Sequence, residues 1–114
     1  MAKKVSIDEL SDSAKKVAVQ DFIGFYFDRY KVNNLEIISM YKVDYFLTDL
    51  NHFVFENQGF TPQQIKDALF DRRSNSIVKV ISTIDPEYYD TGKLVVGTWD
   101  DWYDQQFEKI SSRD

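Results

Sequence analysis

Asp49, His52 and Glu56 are spaced at i, i+3 and i+7, so a helix over that stretch sets all three on one face. A carboxylate three residues before a histidine is the spacing that di-iron bundles use to aim two side chains at one ion. Such a centre needs matching ligands from other helices, and His52 is the single histidine of the chain. The trio therefore reads as a solvated helix face or a local charge pair, and no metal is assigned. Asp101 and Asp104 share a helix face, while the adjacent Asp100 points elsewhere. Paired-carboxylate catalysis needs one acid kept protonated and another ionised in a common cleft. No pocket-forming pattern accompanies these aspartates, so they read as acids at the positive end of a helix. A serine triad would have to use His52 and finds no Gly-x-Ser-x-Gly elbow. Gly24, Gly59, Gly92 and Gly97 are scattered, and no phosphate-cradling loop forms. Asp100-Asp101-x-x-Asp104 lacks the spacing and the glycine of a calcium loop. With no cysteine there is no thiolate nucleophile, disulfide or cysteine-ligated metal. The expectation is a non-enzymatic protein without a cofactor.

Binding chemistry is better represented. Residues 85–114 hold eight acids against three bases, which accounts for the whole net charge of -5. The same quarter carries both tryptophans. Rings make binding hot spots, and acids around them steer a basic partner. The expected partner-binding face comprises Tyr88, Tyr89 and Asp90 on a loop, with Trp99, Asp100, Asp101, Trp102 and Asp104 on a final helix. Its partner would be a basic protein surface. The competing reading has Trp102 and Phe107 closing the core and the aspartates serving as solubilising charge.

An alternative is a DNA-binding regulator of transcription or plasmid maintenance. A helix over 61–73 would offer Gln63, Gln64, Lys66, Arg72 and Arg73 to base edges and phosphates. Asn57-Gln58-Gly59-Phe60 is a turn of suitable length for a helix-turn-helix. The acidic balance disfavours direct nucleic-acid binding, which rests on neutralising phosphates.

Several elements must position these groups. Ser11 or Asp12 caps a helix over 12–31, with Ala14, Ala18, Phe22 and Phe25 on its stripe. A second helix over about 36–57 carries Phe46, Leu50 and Phe53, and residues 35–41 are ambiguous between helix and strand. Thr61-Pro62-Gln63-Gln64 is a capping box with proline at the first helical position, starting a third helix that runs to about 73. Ser76–Thr83 is dense in β-branched residues and reads as a strand, paired through a polar turn with Leu94–Val96. Thr98 caps the last helix. The expected fold is one α+β domain over 1–114: three to four helices on a small antiparallel sheet, with a hairpin at about 76–98 and a candidate third strand near 4–7.

At 114 residues, with 16% aromatics, four glycines and two prolines, the chain is too ring-rich for disorder and sized for one core. It contains no apolar run of the ~20 residues a membrane span needs. Its lysine-bearing start leads into Asp8 and Glu9 rather than an apolar stretch, so no signal peptide is read. A soluble, cytoplasmic protein without membrane contact is expected.

Glu9, Leu10, Ser11, Ala14, Lys15 and Ala18 form an opening that resembles short uncharacterised phage and prophage proteins, over about a tenth of the chain. That resemblance implies a mobile-element setting, in a host cytoplasm if phage-encoded. By analogy it implies an inhibitor of a host protein that handles nucleic acid.

Overall fold

Helix α1 spans Asp12–Lys31. Ser11 caps it, the hydroxyl accepting the Ala14 amide at 3.2 Å. Arg29 and Lys31 lie at its negative end. Ala14, Ala18, Phe22 and Tyr26 are buried along one stripe, and Val19, Ile23, Phe25 and Phe27 are buried beside it. Burial this wide marks the central helix, covered on several sides rather than one. The computed structural model describes residues 4–32 and 43–111.

Helix α2 spans Asp44–Glu56 and buries Leu47, Leu50, Phe53 and Val54 at helical spacing. The ambiguous stretch 35–41 lies outside the described residues. Helix α3 spans Pro62–Ile84. Its start is the expected capping box: the Gln64 amide donates to Thr61 Oγ1 at 3.2 Å, and the Thr61 amide donates to Gln64 Oε1 at 2.9 Å. Helix α4 spans Trp99–Ser111. Thr98 and Asp101 form the same reciprocal cap, with bonds of 3.1 and 3.2 Å.

The expected α+β fold is not what forms; the described chain is mainly helical. Residues 76–84 are the second half of α3, not a strand of a hairpin. Ile77, Val80 and Ile81 are buried at i, i+3 and i+4, continuing the stripe begun by Ile65 and Leu69. That helical period outweighs the β-preference of the branched side chains, which depends mostly on context. The hydroxyls are absorbed too. Ser74 donates to the Phe70 carbonyl, and Thr83 donates to the Lys79 carbonyl at 2.8 Å. The helix is broken locally at Arg73, with φ -129° and ψ 17°. Asp85, at φ 55°, then turns the chain in the left-handed region ahead of Pro86.

The only sheet among the described residues is a two-residue ribbon. Strand β1, Lys4–Val5, runs antiparallel to β2, Tyr88–Tyr89, with Val5 opposite Tyr88. The candidate strand near 4–7 thus pairs with what was expected to be loop. Leu94 bridges Tyr88 and Gly97 singly. The turn between them lies directly on α1. Gly92 has φ 89°, and a Cβ there would collide with the Ala14 carbonyl. Only glycine satisfies both demands.

Candidate functional site

The C-terminal aromatics build a seam between α1 and α4. Trp99 sets its edge against Phe22 at 4.9 Å and stacks on Phe25 at 5.6 Å. Trp102 packs against Trp99 at 5.3 Å, and Tyr103 lies 6.3 Å from Phe25. These offset and edge-on arrangements are the ones ring quadrupoles favour. Trp99, Trp102 and Tyr88 are 3%, 6% and 0% exposed. The rings expected on a partner-binding face therefore close the core. Their helical spacing to one another was visible in the sequence, but not the stripe of α1 that receives them.

The polar members of the expected face fare differently. Asp90, Asp100 and Asp104 are exposed, and Tyr89 is half-buried. Asp101 serves the α4 cap. Asp100 accepts a hydrogen bond from the Arg29 guanidinium at 2.9 Å. That guanidinium also lies 4.1 Å over the Tyr103 ring and 5.3 Å from that of Phe25, so the rings hold the cation as well. The 88–92 turn sits at Ala14, whereas Trp99 sits at Phe22 and Phe25. At 1.5 Å per residue these positions on α1 are about 12–16 Å apart, so the two halves of the expected face are strung along one helix.

Between them is a cleft of about 300 Å³. Phe25, Leu94 and Trp99 line it, and Asp21, Asp28, Asp100 and Lys93 contribute its charges. Asp21 and Asp28, both exposed, were missed by sequence reading. Their i, i+7 spacing on α1 was the available signal. Asp28 is held only loosely, 3.9 Å from Lys31. Burial first and the Asp21 charge second push the Tyr88 phenol above its ordinary range.

Of the alternative DNA-reading residues, Gln63, Gln64 and Arg72 are exposed, while Lys66 and Arg73 are half-buried. Gln64 belongs to the cap, and Gln63 donates to Asp67 at 2.9 Å. The half-buried Lys66 lies 5.8 Å from the Phe27 ring. Arg73 pairs with Asp49 at 3.2 Å and covers the Phe53 ring at 4.7 Å. Arg72 is exposed.

The trio on α2 does not converge. His52 pairs with Glu56 at 3.1 Å on the exposed face. Asp49 turns toward α3, where it accepts the Ser76 hydroxyl at 3.0 Å. Among the described residues no group of three metal-ligating side chains comes together. Beside Asp49, Tyr26 donates its hydroxyl to Asn51 Oδ1 at 2.5 Å. Burial, with Tyr30 and Asp49 adding their charges, drives the Tyr26 phenol well above its usual range.

Among the described residues no helix is long and apolar enough to cross a membrane. No family model, curated protein or solved structure matches the chain.

Proposed function

We propose that this chain is a small binding protein that presents an acidic face to a basic protein surface, of the kind that ordinarily holds nucleic acid. The observation that supports this reading is the cleft between α1 and the 93–100 segment. Three carboxylates, Asp21, Asp28 and Asp100, stand against one lysine around an apolar floor. A partner's lysine or arginine could lay its aliphatic stem on Phe25 and Leu94 and bring its charge to the rim. The rings stiffen the floor from beneath instead of reaching out to the partner. Inhibition of a host nucleic-acid-handling protein is the form this activity would take in a mobile-element setting.

The test uses two exposed carboxylates outside the α4 cap and the Arg29 pair. Asp21→Lys combined with Asp28→Lys leaves the α4 cap and the Arg29 pair intact. Affinity capture from the producing cell, read by mass spectrometry, is run with wild type and this variant at two salt concentrations. The expected result is a basic partner retained by wild type, lost at high salt because exposed charges are screened over ~8–10 Å, and reduced about tenfold or more by the variant. Capture that is unchanged in the variant would remove the reading.

A further inference from the structure

A second surface, between α2 and α3, has the opposite charge character. The hairpin of α2 and α3 encloses an open groove of about 600 Å³. Phe53, Ile65 and Ala68 form its apolar floor, and Phe60 its wall, 56% exposed. Arg72 and Arg73 stand on its rim. Arg73 is engaged with Asp49, whereas the exposed Arg72 has no ion-pair partner among the described residues. Glu56 also lines the groove but is drawn to His52 on α2. An exposed phenylalanine beside an open apolar floor, with a guanidinium at the edge, suits an amphipathic helix bearing an aromatic residue and acids.

The chain itself carries such a helix. On α4, Phe107 is 56% exposed, one turn beyond the buried Tyr103. Asp104 lies one turn before Phe107 on its face, Glu108 lies one turn after Asp104, and both acids are exposed. Ring and acids on α4 complement floor and arginine on the groove. We propose that the α2–α3 groove receives the Phe107 turn of α4 from a second copy of this chain. Because groove and helix are different patches, the contact is head-to-tail. A closed pair makes it twice, and an open series extends it. The inference does not depend on the acidic cleft, whose Asp21 and Asp28 take no part in it.

Charge exchange tests the pairing directly. Arg72→Glu and Glu108→Lys both replace exposed residues and leave the buried packing untouched. Wild type is expected to rise above its 13.4 kDa monomer mass with concentration in sedimentation equilibrium. Each variant alone sets like charges against each other and should self-associate at least about tenfold more weakly. An equimolar mixture of the two variants pairs the acidic groove with the basic helix, and the unchanged groove with the unchanged helix. The mixture should therefore regain the wild-type association. Phe107→Ala should abolish association without loss of helix content by circular dichroism. A wild type that stays monomeric at every concentration overturns the proposal. So does association that survives Arg72→Glu, or a mixture that fails to recover it. None of these outcomes bears on capture through Asp21 and Asp28, so the two proposals fail separately.

Discussion

The seam between α1 and α4 and the seam joining α1, α2 and α3 solve the same packing problem with different materials. The first is ring against ring, with Phe22, Phe25, Trp99 and Trp102 interleaved and the Arg29–Asp100 ion pair at its lip. The second threads polar contacts through its apolar stripe, hydrogen bonds from Tyr26 to Asn51 and from Ser76 to Asp49, and an ion pair from Arg73 to Asp49. Rings supply area without fixing register tightly, because offset and edge-on contacts tolerate small shifts. Directional bonds supply less energy but specify which residues face each other. The polar seam lies where α3 departs from helical geometry at Arg73, and the ion pair to Asp49 holds that departure in place.

The widest gap between the two seams should appear on truncation. Trp99→Ala removes a 97%-buried indole at the centre of three ring contacts and should cost about 3–5 kcal/mol by urea denaturation. A loss under about 1 kcal/mol would mean the aromatic seam is not core. High pH should act next, through the phenols of Tyr26 and Tyr88. Both are raised by burial above the ordinary value of about 10, so the folded state keeps protons that the unfolded chain releases. Stability should be level below about pH 10 and then fall by up to about 1.4 kcal/mol per pH unit for each phenol. In the double variant Tyr26→Phe plus Tyr88→Phe that fall should flatten. An unchanged slope would show that neither ring is shielded from water. The smallest contrast is between the carboxylates. Asp49→Ala strands the half-buried Ser76 hydroxyl and removes the ion-pair partner of Arg73, and should cost about 1–2 kcal/mol, while Asp100→Asn at the exposed lip should cost less than about 1 kcal/mol. Equal costs would erase the distinction between the seams.

Local signals in the sequence were sufficient wherever a backbone terminus had to be satisfied. Ser11, Thr61-Pro62 and Thr98 are caps whose chemistry lies within four residues, and all three start helices as expected. The α1 stripe was legible for the same reason, since its period is local. Residues 76–84 were misread because branched side chains favour a strand in isolation, while the deciding contacts of Ile77, Val80 and Ile81 come from elsewhere in the chain. The candidate site was half legible. Its acidity was plain from composition, but burial of Trp99 and Trp102 depended on α1. Arg29, Asp21 and Asp28 come from the other end of the chain, and Arg29 is 71 positions from Asp100, a separation that no short window spans.

The ribbon between Val5 and Tyr88 has a kinetic corollary. Two residues per strand must close a loop of more than eighty positions, and a long closure offers little return until the helices have brought its ends together. The Val5–Tyr88 ladder should accordingly assemble last during refolding. Its amides should also exchange with deuterated solvent sooner than those at the middle of α1, and each such opening would briefly uncover the Tyr88 ring.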